Sequence, residues 1–149
     1  MIDPAMVHRK LSLITTDLKR LKDLVARTRE ALLSDEIGLA AAERYLERVI
    51  GRMIDINYHL ITSEGEPPPK DYYLSFVQLS IKPAILDKQF AEEIANAAGL
   101  RNRIVHEYDD IDPGLTIEGM RAAVRDIPLY AGAVLKYLEK RRKDRDPAE

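Results

Sequence analysis

Apolar residues recur along this chain at intervals of three and four, which is the spacing of one face of an α-helix. The pattern is most regular in the second quarter of the chain, where it predicts a long helix packed as in a bundle or coiled coil. The members of this stripe are Leu39, Ala42, Leu46, Val49, Met53, Ile56 and Leu60. The same spacing from Leu11 to Val25 predicts a first helix from about Pro4 to Leu33. No segment alternates apolar and polar residues as a half-buried strand does.

Residues that end or cap helices divide this pattern into segments. Ser34-Asp35-Glu36 supplies a stop and the N-terminal cap of the second helix. Residues 63–69 contain three consecutive prolines, which remove backbone donors, so this stretch predicts a loop between helices. Asp71 can then cap a short helix that carries Tyr72 and Phe76.

Two prolines predict the starts of the last two helices. The short helix is interrupted near Lys82, and Pro83 fits the first turn of a fourth helix. Asp112 and Pro113 offer a cap and a first-turn proline for the final helix, although Gly114 can delay its start by about two residues. Together these segments predict an all-α, up-and-down bundle of four or five helices with short connections.

Length and composition indicate one domain. At 149 residues with 46% hydrophobic side chains, the chain supports a single helical domain over 1–149 with a basic tail over about 140–149. The net charge of −2 argues against a strongly basic nucleic-acid binder, and basic runs near both ends are typical of solvated helix faces. A local cationic groove for RNA stays open. The chain has no cysteine, no signal-peptide pattern and no apolar run long enough to span a membrane, so a cytoplasmic protein without a membrane partner is expected.

Candidate chemistry is concentrated between Leu100 and Asp109. Arg101 is a permanent cation, His106 belongs to the residue type that titrates near neutral pH, and Tyr108 carries a phenol. An arginine that neutralises phosphate charge and a histidine that moves a proton together suit phosphodiester cleavage. Asn102 precedes His106 by four residues and can therefore hydrogen-bond or orient it on a helix.

Helix geometry limits how these side chains meet. Arg101 and Tyr108 are seven residues apart and share a helical face if the helix continues, whereas Arg101 and His106 diverge by about 140°. Their convergence requires a distorted helix end, a long side-chain reach or a second subunit that completes the site. The small residues Ala97, Ala98 and Gly99 permit close approach by another helix.

A purely structural explanation of the same residues stays open. A histidine in the last turn of a helix is favoured by the helix dipole, an arginine among acids is usually a surface ion pair, and a tyrosine at an apolar spacing usually packs in a core. His8 and His59 lack nearby ligand-type residues, which favours structural or surface roles for both. No metal-binding motif and no glycine-rich phosphate loop is present, so neither a metal nor a cofactor is expected.

The order of the motif residues resembles the Arg-x4-6-His motif of the HEPN superfamily. Its extension, His106-Glu107-Tyr108, resembles the HepT branch of that superfamily, formerly called DUF86. Upstream segments at 45–48, 55–61 and 73–79 are similar to the same family, and the resemblance extends over residues 9–138.

This resemblance implies a homodimeric, metal-independent endoribonuclease, the toxin of a type VII toxin–antitoxin system. Arg101 would stabilise charge on the phosphate, His106 would move the proton, and Asn102 would orient His106 or the phosphate. The family places these motifs at the dimer interface, so the motif-bearing helices would face each other. RNA would be the substrate.

The resemblance also implies a partner. In this family a minimal nucleotidyltransferase antitoxin of the MntA type attaches AMP to the motif tyrosine, which is Tyr108 here. One alternative is a HEPN-like helical domain without nuclease activity that binds a nucleotidyltransferase. Another is a helical adaptor with no nucleotide chemistry.

Overall fold

Four long helices and two short ones make up the part of the chain that the structure, a computed structural model, describes, which is residues 1–146. No strand occurs in this range, so the predicted all-helical fold is confirmed. The helices are α1 (Pro4–Val25), α2 (Arg29–Leu33), α3 (Glu36–Ser63), α4 (Tyr72–Gln78), α5 (Lys88–His106) and α6 (Pro113–Arg145). Residues 140–145 of the predicted basic tail continue α6, and residues 147–149 lie outside the described range.

The core follows the predicted apolar stripe of α3. Every stripe residue from Ala42 to Leu60 is fully buried, and Leu39 packs against the same core from its edge. α3 packs along α1 and also contacts α4 and α5, while α6 packs against α1 and α5. Asp35 caps α3 as predicted, because its carboxylate accepts a hydrogen bond from the Gly38 N–H at 2.9 Å.

The first predicted helix is wrong in one respect, because the chain breaks between Val25 and Arg29. Thr28 caps α2 by accepting a hydrogen bond from the Ala31 N–H at 3.1 Å. Arg121 of α6 donates to the carbonyl oxygens of Val25 and Arg27, at 3.3 and 3.1 Å. These carbonyls at the end of α1 are therefore satisfied by a side chain instead of a further helical turn.

The start of the fourth long segment is also corrected. α5 does not begin at Pro83 but at Lys88, where the Asp87 carboxylate accepts a hydrogen bond from the Phe90 N–H at 3.0 Å. The intervening residues are held by the Leu79 carbonyl, which accepts from the N–H groups of Ile85 and Leu86. The final helix begins at Pro113 with an Asp112 cap, so Gly114 does not delay it.

A chain of buried polar groups joins three helices. The Tyr130 hydroxyl of α6 donates to the Asn57 side-chain oxygen of α3 at 2.6 Å. The Asn57 side-chain nitrogen donates to the Ser75 hydroxyl of α4 at 3.2 Å, and Ser75 donates to the Tyr72 carbonyl at 2.7 Å. Because a buried polar group without a partner is costly, this chain fixes the first turn of α4 against α3.

Candidate active site

The predicted site residues lie in the last two turns of α5. Its buried face is formed by Ala91, Ile94, Ala95, Ala98, Leu100 and Ile104. At Gly119, α6 comes so close to α5 that an added Cβ would lie 2.5 Å from a methyl carbon of Leu100. This contact fixes the C-terminal part of α5 and leaves Asn102 and His106 on the exposed side.

Arg101 is a cation without an anionic partner among residues 1–146. Its guanidinium carbon lies 5.7 Å from the centre of the Tyr72 ring, within range of a cation–π interaction. Its Nε atom is buried and has no hydrogen-bond acceptor within the described residues. A Cβ built on Gly51 would lie 3.8 Å from that Nε, so α3 has room for Arg101 only because residue 51 is glycine or similarly small. An ordinary surface ion pair therefore does not account for Arg101.

Arg101 forms one wall of a depression between α3, α4 and α5. The volume of this depression is about 310 Å³. The other residues that line it are Glu47, Arg48, Gly51, Arg52, Ile54, Asp55 and Tyr72. We call it the α3–α5 depression. The sequence analysis missed these α3 and α4 residues, because only the packing of α3 and α4 on α5 brings them to Arg101.

Asp17 organises the α3 side of this depression. Its side chain is almost completely buried, and one of its oxygens lies 3.0 Å from Arg48 Nε and 2.7 Å from Arg52 Nη1. Its other oxygen lies 3.3 Å from Arg20 Nη1. One buried carboxylate therefore holds three guanidinium groups, and their charges exceed its own.

Tyr58 supports Tyr72 from the side. The two rings meet edge to face with their centres 6.3 Å apart, and the Tyr58 hydroxyl donates to the Pro69 carbonyl at 3.1 Å. Burial raises the pKa of Tyr58, so the phenol stays protonated and keeps this hydrogen bond. Tyr72 is thus held in place beneath Arg101 even though half of its side chain is exposed.

His106 and Asn102 do not join Arg101 within one chain. α5 remains a regular α-helix through His106, its last residue, so His106 lies about 140° around the axis from Arg101 and about 7.5 Å along it. His106 is exposed and does not line the α3–α5 depression. Within residues 1–146 neither Asn102 nor His106 makes a side-chain hydrogen bond, so Asn102 does not orient His106 in the isolated chain.

The prediction that Tyr108 shares a helical face with Arg101 is wrong. α5 ends at His106, and Tyr108 lies in the following turn with 68% of its surface exposed. Helical spacing therefore does not relate the two residues. Tyr108 is also not a core residue, which removes the simplest packing explanation for it.

The remaining histidines and acids offer little further chemistry. His59 accepts a hydrogen bond from the Asp3 N–H at 2.9 Å, which fits the structural role expected for it. His8 lies exposed on α1. Within residues 1–146 no three His, Cys, Asp or Glu side chains are grouped as metal ligands would be. None of the helices in this range has the length and hydrophobicity to cross a bilayer.

Sequence comparison identifies the family. The sequence pattern of the family described as "Ribonuclease HepT-like" matches residues 14–134. The chain belongs to this family. A relative in the HepT-like family is the tRNA nuclease HepT of Aphanizomenon flos-aquae (strain 2012/KM1/D3), which is 34% identical over 137 residues and 92% of each chain.

Solved structures share the fold of this HepT-like chain. The tri-AMPylated HEPN toxin of Shewanella oneidensis, determined in complex with the MNT antitoxin, superposes with a TM-score of 0.79 at 18% identity, over 91% of this chain and 99% of that one. The cytosolic protein YutE of Bacillus subtilis gives a TM-score of 0.80 at 18% identity, over 94% and 93% of the two chains. At this identity the likeness shows the fold alone.

Proposed function

We propose that this chain is an endoribonuclease toxin of a toxin–antitoxin pair and that it cleaves RNA through Arg101, His106 and Asn102. The observation that carries the proposal is an unpaired arginine and an exposed histidine on the last two turns of one helix. The HepT-like family and the tRNA nuclease relative support the same activity, and they make tRNA the first substrate to test.

The chemistry follows from the two side chains. Neutral His106 takes the proton of a ribose 2′-hydroxyl, whose oxygen attacks the adjacent phosphorus. Arg101 stabilises the extra negative charge on the phosphate oxygens, and Asn102 orients His106 or the phosphate. The bond to the 5′-oxygen of the next nucleotide breaks, and that oxygen receives a proton. The products are a 2′,3′-cyclic phosphate and a 5′-hydroxyl, and no metal ion takes part.

The active unit is a homodimer in which α5 of one protomer faces α5 of the other. The divergence of Arg101 and His106 on one α5 supports this arrangement. Gly99 supports it too, because within the described chain only Arg103 Nη1 lies within 4 Å of a Cβ built there. That side of α5 therefore has room for a helix of a second copy.

The partner is a minimal nucleotidyltransferase antitoxin of the MntA type, and both proteins act in the cytoplasm. Tyr108 is the residue that receives AMP. Its exposure and its place two residues after His106 support this assignment, as does the solved complex of a tri-AMPylated HEPN toxin with an MNT antitoxin. Phosphates added there would oppose the charge of Arg101 and block access of RNA.

Expression of the chain without an antitoxin tests the nuclease. The parent protein should slow growth and cleave tRNA in vitro, with activity that survives EDTA. His106→Ala should abolish both effects, while His8→Ala, a change of another exposed histidine, should keep them. Equal cleavage by His106→Ala and the parent would remove His106 from the mechanism, and activity lost to EDTA but restored by Mg²⁺ would remove the metal-independent route.

Intact mass tests the role of Tyr108. Co-expression with the nucleotidyltransferase should add one or more AMP units to the chain. Tyr108→Phe should abolish the added mass, keep most of the cleavage and escape neutralisation, whereas Tyr73→Phe, at another exposed tyrosine, should be modified like the parent. A neutralised but unmodified chain would mean that the antitoxin inhibits by occlusion.

A further inference from the structure

We propose that the α3–α5 depression is a second contact site for the RNA strand, in which Arg48 and Arg52 bind a phosphate and Tyr72 stacks against a base. This inference rests on the proposed nuclease function and extends the substrate contacts beyond the Arg101–His106 motif. It places the strand across α3 and α4 before it reaches the reacting phosphate.

The two arginines retain donors for a phosphate. An arginine has five N–H donors in a planar fork, and Asp17 engages Arg48 through Nε and Arg52 through Nη1. Both residues line the depression, and their side chains are 39% and 18% exposed. Asp17 therefore fixes the guanidinium groups in place without using up their donors, which is the arrangement that favours phosphate binding.

The charge around the depression favours an anion. Its two lining acids have cationic neighbours outside it: Arg44 lies 2.9 Å from Glu47, and Lys10 lies 3.0 Å from Asp55. Asp17 is outnumbered by its arginines, and Arg101 adds a charge that no acid of residues 1–146 balances. The local excess is therefore positive in a chain whose net charge is −2.

Tyr72 supplies the surface for a base. Its ring lines the depression, its side chain is 49% exposed, and Tyr58 and Arg101 hold it from the edge and from one face. Aromatic rings in such positions stack on nucleobases with little sequence preference. The volume of about 310 Å³ is at the lower end of small-ligand sites, which suits one nucleotide unit.

The salt dependence of tRNA binding tests the phosphate contact. Binding is measured in a His106→Ala background, so that the RNA stays intact. Arg48→Gln leaves Arg52 and Arg20 on Asp17 and should reduce the slope of log K against log salt by about 0.7–0.9, the value for one lost phosphate contact. The matched control is Arg125→Gln on α6, which removes an exposed, ion-paired arginine away from the depression and should leave the slope unchanged.

A pair of substitutions tests the stacking contact. In the same background, Tyr72→Leu should weaken tRNA binding by about five- to a hundredfold, the range for loss of one base–aromatic stack. Tyr72→Phe keeps the ring and should bind within about twofold of the parent. Thermal melts of both variants exclude unfolding, because α4 retains its Asp71 cap in each.

The outcomes separate the two proposals. If the parent cleaves tRNA but Arg48→Gln matches Arg125→Gln and Tyr72→Leu binds like Tyr72→Phe, the subsite is overturned and the nuclease stands. If the parent neither binds nor cleaves RNA, both fail. A reduced slope for Arg48→Gln together with the contrast between the two Tyr72 variants supports the subsite.

Discussion

A mixture of two inactive variants should regain nuclease activity if the active site is shared between protomers. Arg101 and His106 lie on one undistorted helix, about 140° apart around its axis and about 7.5 Å apart along it. These directions prevent both side chains of one protomer from pointing at the same phosphate. We therefore expect each site to combine Arg101 of one protomer with His106 of the other. Arg101→Ala and His106→Ala protein should each be inactive alone.

The size of the regained activity follows from symmetry. Random pairing of equal amounts makes about half of the dimers mixed, and a two-fold symmetric dimer has two equivalent sites. In a mixed dimer, one site has lost both side chains and the other retains both. The mixture should therefore show about a quarter of the parental activity per dimer.

The assay uses protein that is refolded after mixing. The two variants are combined in urea, returned to buffer and given tRNA, and the initial rate is compared with parent protein treated identically. The matched control mixes Arg101→Ala with the double variant Arg101→Ala, His106→Ala, which contains no intact pair in any combination. Light scattering on each sample establishes that dimers have formed.

One result would refute the reasoning. If refolded parent is active and dimeric but the mixture stays as inactive as its control, the two side chains act within one chain or one of them has no role. A clean monomer that cleaves tRNA would remove the shared site directly.

Three further predictions concern single positions. Arg101→Ala should lower kcat about 10²–10³-fold while changing the Tm by only a few degrees, because a cation–π contact is worth about 0.5–1 kcal/mol; Arg103→Ala, an exposed arginine on the same helix, should keep kcat, and comparable losses would contradict this. Tyr130→Phe leaves the buried Asn57 oxygen without its donor, so calorimetry should show a loss of about 2 kcal/mol, or roughly 4–8 °C in Tm, and an unchanged Tm would rule out that contribution. A Gly38 hydrogen bond and the Arg27 guanidinium lower the pKa of Asp35, so its charge stabilises the fold above a pH of about 4 and loses this effect as the pH falls; Asp35→Asn should lower the Tm at pH 7 and progressively less in melts at lower pH.

Local chemistry explains which parts of the fold could be predicted. The stripe of α3, its cap at Asp35 and the start of α6 at Pro113 depend on neighbours within four residues, and all three predictions are confirmed. The break after Val25 depends instead on Arg121, almost a hundred residues away in sequence. Pro83 satisfies the rules for a first turn but lies before Asp87, whose side chain provides the cap.

The same distinction applies to the candidate site. Arg101, Asn102, His106 and Tyr108 could be selected because they are close in sequence and their residue types carry chemistry; their roles stay predictions. The end of α5 at His106 was not foreseen, and it moved Tyr108 off the helix. The residues that surround Arg101 come from α3 and α4, whose contacts with α5 leave no periodic signal in the sequence.

The buried hydrogen bonds from Tyr130 through Asn57 to Ser75 have a genetic consequence. They link α6, α3 and α4 without reaching the surface, and they end at the backbone of the residue that lies beneath Arg101. Selection for cells that survive expression of this chain should therefore recover substitutions at these interior positions as well as at the exposed motif. Core survivors should contain little folded protein and motif survivors a normal amount, so immunoblotting alone can sort the two groups.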